Sequence, residues 1–266
     1  MAACSDAAPV QENTPVADTL TDSNEIAQES IDEPDSYQET DSETKAIESD
    51  ESESAPAEEL AVEIAEVAED DTIASVDAET VDAHISQFPL GTLSQDEIDG
   101  LLFMREEEKL ARDVYQTLYE QWEMRIFSNI ARSEQNHTDA VLSLINRYEL
   151  DDPSADLGAG EYSNPDLQAL YDQLVAQGSQ SLLDALHVGA AIEEIDILDL
   201  EEYIAQTDKE DIQLVYENLM AGSENHLRAF VSVIEKRGDT YQAQYMSDEA
   251  FDSIISASVS RGQGRG

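Results

Sequence analysis

Glutamate and histidine recur in one setting at two places in this chain. Ser133-Glu134-Gln135-Asn136-His137 is echoed by Ser223-Glu224-Asn225-His226, and setting His137 on His226 also sets Ala140 on Ala229, Ser143 on Ser232 and Ile145 on Ile234. The chain has only 4 histidines, so the recurrence singles out half of them. Side chains three apart share one face of a helix. Helices that turn Glu and Glu-x-x-His toward one another are how a bundle builds a two-metal carboxylate site.

More acidic residues fall where an apolar one is expected. Leu101, Met104, Glu108, Ala111, Tyr115 and Leu118 step by three or four, which places Glu108 on an otherwise apolar or small-residue helical line. Glu134 and His137 interrupt the line between Ile130 and Val141. Glu193 falls between Gly189 and Leu200 with Asp196 one turn on, and Ser223 and His226 lie between Leu219 and Phe230. Taken alone, Glu106-Glu107-Glu108 reads as a solvated charge run, and a single histidine on such a line reads as a satisfied core group. Several carboxylates facing one another repel unless they are protonated or share a cation. Agreement across four helices therefore favours metal binding over a polar network in a structural bundle.

The elements that must position these residues are helical. Ser94-x-x-Glu97 is a capping box and opens a helix over roughly 95–121. A second follows over 125–148, until Asp151-Asp152-Pro153 and Leu157-Gly158-Ala159-Gly160 break the pattern. Asn164-Pro165 starts a short helix to about 177. A third long helix covers about 180–206, and a fourth, capped by Asp208, covers about 209–236. A last short helix begins after Ser247 and ends near Ile255. The two tight connections make antiparallel hairpins, and the linker of about thirty residues between the hairpins is the long crossover of ferritin-like bundles. The expected class is all-α: a four-helix bundle whose crossover carries a short helix. Depths agree as well, since Glu108 lies fourteen residues before Trp122 in the first turn and Glu193 fourteen before Thr207 in the second.

Composition divides the chain. Residues 1–90 hold 26 acidic residues and one basic residue, Lys45, with Tyr37 and Phe88 as their only aromatics. Such a segment buries too little apolar surface to fold alone and is expected to be a disordered acidic arm. Residues 91–256 are expected to form the domain, and 257–266 a flexible tail. From 91 onward there are 35 acidic and 12 basic residues, a net of −23, which argues against nucleic acid and against anionic membranes. An acidic surface fits a salty habitat or simple solubility equally. No stretch is long and apolar enough to be a transmembrane segment. Cys4 is the only cysteine, so no internal disulfide forms and no cysteine-ligated electron-transfer centre is available. Met1-Ala2-Ala3-Cys4-Ser5 looks like the end of a lipoprotein cleavage box. Were the true start upstream, Cys4 would carry a lipid anchor and the acidic arm would tether an extracytoplasmic domain. An incidental cysteine in a cytoplasmic protein is the alternative.

Glu108-x-x-Ala111-Arg112-x-x-Tyr115 followed by Glu134-x-x-His137 resembles the first helix pair of rubrerythrins, within the ferritin-like superfamily. The run Glu106 to Tyr115, Ile192-Glu193-Glu194-Ile195-Asp196-Ile197 and Ser223-Glu224-Asn225-His226-Leu227 carry a closer resemblance, over about 94–256, to the uncharacterised domain of unknown function 2202. The resemblance implies a di-iron-type bundle, without an assigned reaction. In it Glu108 and Glu193 are the single carboxylates of the first and third long helices, Glu134 and His137 the pair from the second, and His226 the histidine of the fourth. Asp196 takes the place of a second carboxylate on the third. Ser223 departs from the pattern, standing where a glutamate is expected. Glu224 is next to it but about 100° further round the helix, so it would serve only if the helix is rotated or bulged.

Carboxylate and imidazole donors suit one or two ions of iron or manganese, with open positions for oxygen or peroxide. Three functions stay open: a redox enzyme needing a reductant the sequence does not identify, a non-catalytic metal-binding module, and a metal-free bundle acting through protein partners. The resemblance also implies a homodimer, although no uninterrupted apolar stripe marks the interface. Tyr115 is expected in the core beside the site. His187 has no acidic partner at ligand spacing and is expected at the surface, while His84 falls in the acidic arm.

Overall fold

The computed structural model describes residues 78–257. Cys4, the acidic segment up to 77 and the tail beyond 257 lie outside the described residues, and with them the lipid-anchor and tether expectations. Among the described residues there are seven helices and no strand: α1 (Ala78–Ile85), α2 (Gln95–Trp122), α3 (Arg125–Arg147), α4 (Pro165–Gly178), α5 (Leu182–Gln206), α6 (Glu210–Lys236) and α7 (Asp248–Ser256). None of them is long and apolar enough to cross a membrane.

Local chemistry fixes most boundaries. The capping box at α2 is closed on both sides: Glu97 N donates to Ser94 Oγ at 3.2 Å, and Ser94 N donates to Glu97 Oε2 at 2.7 Å. Glu123 then adopts φ 51°, a left-handed turn that stops α2 and lets α3 start two residues later. Asn164 caps α4 through its side chain, with Pro165 at the first position. The expected cap at α6 is displaced. Its N-cap is Lys209, with no side-chain cap bond, because Asp208 is exposed and its carboxylate pairs with Lys209 instead.

The four long helices close into a ring of neighbours: α2 against α3 and α5, and α6 against α5 and α3. α4, in the crossover, packs on α2 and α5, and α1 packs on α3 and α6. α1 corrects the expected acidic arm. Residues 78–90 include an ordered helix seated on the bundle, with Ile85 buried and Arg147 Nη2 donating to Phe88 O at 2.7 Å. A short amphipathic segment that finds a bundle groove gains the burial it lacks in isolation.

The apolar interior is in two parts. One holds Val114, Phe127, Leu186 and Phe230; the other holds Met104, Val141, Leu144, Leu200 and Val215. Gly189 lets α5 approach α6 in the first part, since a Cβ there would lie 2.4 Å from the Phe230 ring. Polar side chains from α2, α3, α5 and α6 interrupt the apolar lines between these two parts.

Candidate metal centre

Glu134 stands between two imidazoles. Its Oε2 lies 2.9 Å from Nδ1 of His137, one turn along α3, and its Oε1 lies 2.8 Å from Nδ1 of His226 on α6. Glu108 reaches the same His137 nitrogen from α2 at 3.2 Å, and Glu193 reaches the His226 nitrogen from α5 at 3.4 Å. The result is two buried triads, Glu108–Glu134–His137 and Glu134–Glu193–His226. The donor atoms within each lie inside 4.8 Å of one another, and Glu134 belongs to both. The imidazole rings are 5.5 Å apart and inclined by 24°.

Burial and mutual charge set the protonation of this layer. Burial pushes Glu108 up to about 8, against the pull of His137, and Glu193 up to about 7, against the pull of His226. Burial also acts to raise Glu134, but His137 and His226 together outweigh it and hold that carboxyl below its ordinary range. Burial acts to lower His137, yet Glu134 and Glu108 leave it well above an ordinary histidine. Without a cation, then, the layer holds itself together with protons.

Asp196 is buried next to the triads, and burial with the charges of Glu108, Glu134 and Glu193 raises it well above the usual range. Its Oδ2 accepts from the Ser223 hydroxyl, while Oδ1 has no hydrogen-bond partner. Tyr115 donates to Glu193 Oε1 at 2.5 Å, and burial beside that carboxylate keeps the phenol protonated well beyond an ordinary tyrosine.

Of the residues singled out in the sequence, Glu108, Glu134, His137, Glu193, Asp196 and His226 come together in one layer. Glu224 does not. It is on a half-exposed face of α6, 3.4 Å from Arg228 Nη1, because the helix is regular there and turns it away from the triads. His187, expected at the surface, is half-buried, and its Nε2 lies 3.0 Å from Asp239 Oδ2, supplied by the turn after α6. His84 is exposed on α1.

The charge run on α2 is not a solvated face either. All three of its carboxylates are buried, each by a different part of the chain. Glu106 accepts from Ser163 N, Ser163 Oγ and Asn164 N at the head of α4. Glu108 enters the centre. Glu107 is 4 % exposed and pairs with Asp199, burial and the Asp199 charge holding its carboxyl protonated well above the usual range so that it donates to that neighbour. Sequence reasoning missed Glu107 and Asp199; the signal for Asp199 was its place three residues beyond Asp196 and six beyond Glu193.

Each triad offers one imidazole nitrogen and two carboxylates, a donor set that transition metals take. The buried oxygens Glu108 Oε1 and Asp196 Oδ1 lack partners, a cost that a bound cation relieves. The residues present therefore fit a metal ion.

Comparison with known proteins gives the chain its family. It is 52% identical over 182 residues to the uncharacterized protein MJ0754 of Methanocaldococcus jannaschii, covering 68% of this chain and 98% of that one. The crystal structure of hypothetical protein MJ0754 from Methanococcus jannaschii superposes with a TM-score of 0.63 at 53% identity, over 64% of this chain and 98% of that chain. Residues 97–258 match the model of an uncharacterized protein domain, DUF2202, and the chain belongs to that family.

Proposed function

We propose that this chain is a ferritin-like protein whose two triads hold a pair of iron or manganese ions for redox chemistry with peroxide or oxygen. The observation that carries this reading is the position of Glu134, one carboxylate with an oxygen toward each histidine. Two tight hairpins and a helix-bearing crossover support the ferritin-like assignment. Iron or manganese bound there would supply open coordination positions and one-electron steps.

The chain's own residues prepare that chemistry. Apolar clusters flank the layer and limit water. Tyr115 holds Glu193 in place through its hydroxyl. Ser223 cannot ligate as a carboxylate would; instead it fixes Asp196, so that the negative charge missing from α6 is supplied from α5. Two imidazoles are thereby balanced by four carboxyl groups, Glu108, Glu134, Glu193 and Asp196.

Reconstitution of the metal-free protein with ferrous or manganous ion, followed by desalting and metal analysis, tests the reading. Two ions per chain are expected, together with a peroxide-dependent change in the optical spectrum of the iron form. Substoichiometric metal would leave a metal-free bundle. Full metal with no response to peroxide or oxygen would leave a binding module.

A further inference from the structure

The two halves of the centre match in their donors and differ in what stands behind them. Glu108 lies fourteen residues before Trp122 and Glu193 fourteen before Thr207, so the two carboxylates hold corresponding places in the two hairpins. Each faces Nδ1 of one histidine from the neighbouring helix, Glu108 that of His137 at 3.2 Å and Glu193 that of His226 at 3.4 Å. Glu134 is common to both triads. By donor atoms alone the two positions are equivalent.

Their supporting groups are not. Seven residues beyond Glu108 is Tyr115, which reaches across to the other half: its hydroxyl lies 2.5 Å from Glu193 Oε1, with Gly189 O the more distant acceptor at 3.2 Å. The phenol is fully buried, and its ring packs against Phe230 at 5.4 Å and Phe127 at 6.5 Å between centroids, which holds the hydroxyl in place. Seven residues beyond Glu193 the corresponding side chain is Leu200, buried and apolar, with no hydrogen bond to return. Glu108 Oε1 receives no hydrogen bond from outside its own triad, and its polar neighbours are His137 and Glu134. His137 has the same lack, since its Nδ1 faces the carboxylates and its buried Nε2 has no partner. A ligating histidine normally donates its second N–H to a carboxylate, carbonyl or water, and a ligating carboxylate is normally fixed by a donor of its own. Loss of such a partner costs about 10–100-fold in metal affinity.

We propose that the two positions are unequal: Glu134, Glu193 and His226, with Tyr115 as positioning residue, hold the ion that binds first and stays, and Glu108, Glu134 and His137 hold the ion that exchanges. The inference rests on the two-metal reading of the centre. An ion entering the first position meets a carboxylate already oriented, so little ordering is left for binding to supply. An ion entering the second must order Glu108 itself, and it binds an imidazole whose other N–H stays buried and unpaired. The second ion also arrives beside the first, which shares Glu134 with it and repels it. Metal is thus gained and lost at the Glu108 position without emptying the centre.

Titration of the full-length, metal-free protein with cobaltous ion, followed by visible absorbance and by metal analysis after equilibrium dialysis, tests this. Repulsion between two ions would by itself spread two equal sites into two steps, so the comparison is between variants that keep one position each. The single ion left in Glu108→Gln should bind about tenfold more tightly, or better, than the single ion left in Glu193→Gln. Tyr115→Phe should still take two ions, with the tighter step weakened about tenfold and the weaker step unchanged. Circular dichroism confirms that each variant is folded; if Tyr115→Phe is not, the two glutamine variants decide. Equal affinities in the glutamine variants, or the tighter ion in Glu193→Gln, would overturn the inference and leave the two-metal reading intact. A folded Tyr115→Phe that weakens both steps alike, or neither, would overturn the role of the tyrosine. One ion or none in the unaltered protein would instead sink the two-metal reading, and the inequality with it.

Discussion

Ser223 on α6 and Asp196 on α5 share a hydrogen bond at the position where the duplicated hairpin pattern breaks. The first hairpin places Glu134 three residues before its histidine, and the second places a serine there. The hydroxyl is too short to enter the centre, and its one proton is shared between Asp196 Oδ2 and Leu219 O. The serine on α6 thus binds a carboxyl group of the neighbouring helix.

Ser223→Ala removes that anchor and leaves Asp196 buried with neither oxygen paired. The metal-free protein should lose about 1–3 kcal/mol in urea unfolding, the cost of an unsatisfied buried polar group. Ser223→Thr, which keeps the hydroxyl, should recover part of it. No loss in the alanine variant would show that the bond contributes nothing.

Sharing of Glu134 makes the carboxylates unequal. Glu134→Gln should abolish retention of both ions, because each triad includes it, while Glu108→Gln and Glu193→Gln should each lose one. Metal analysis after desalting reads the difference directly. Equal losses from all three would mean that the triads are not two separate positions.

The pH dependence of the metal-free protein follows from its protons. Glu108 and Glu193 titrate near 8 and 7 when folded, against 4.5 as free carboxyl groups, so the folded state binds more protons than the unfolded across that interval. His137, raised above 6.5, stabilises below that value and loses its contribution as pH rises through its folded pKa. Glu134 has the opposite sign, and its contribution is lost only in acid, below about 4.5. Metal-free stability should therefore fall from about pH 5 to about pH 8 in thermal or urea unfolding. Loading with metal should reverse the trend, since the cation replaces those protons, and calorimetry should record proton release on uptake.

Glu194 separates structure from chemistry. It adjoins Glu193 but faces the other way, accepting from the Tyr241 hydroxyl and from the backbone N–H groups of Gln244, Tyr245 and Met246. Glu194→Ala should cost about 3 kcal/mol or more by stranding those donors, yet leave metal stoichiometry unchanged. Loss of metal in a variant that remains folded would place Glu194 in the centre after all.

Much of the bundle could be read from local chemistry. The capping box at Ser94, the Asn164-Pro165 start and the run of apolar positions placed the helix ends within a residue or two, because caps and periodicity are properties of neighbouring residues. Helical periodicity also put Glu108, Glu134, His137, Glu193, Asp196 and His226 on inward faces. Asp208 misled because a capping residue type does not determine whether its side chain turns back to the helix or, as here, out to Lys209.

What failed to show in the sequence depended on coverage by distant segments. The acidic run 106–108 looks solvated until α3, α5 and the crossover bury it, and Glu106 accepts from the backbone at the head of a helix almost sixty residues away. His187 has no partner in its own helix and finds one in Asp239. Residues 78–85 look like part of a disordered arm until a groove between α3 and α6 receives them.

The sequence by itself determined that this protein is an all-helical bundle with carboxylates and histidines at matching depths, since periodicity and spacing are written along the chain. The tertiary structure alone decided which carboxylate serves two histidines, that Asp196 accepts from Ser223, and that Glu107 is buried against Asp199. Those are relations between side chains on different helices. They depend on the rotation of each helix about its axis, which packing fixes to a fraction of a turn and sequence spacing leaves open.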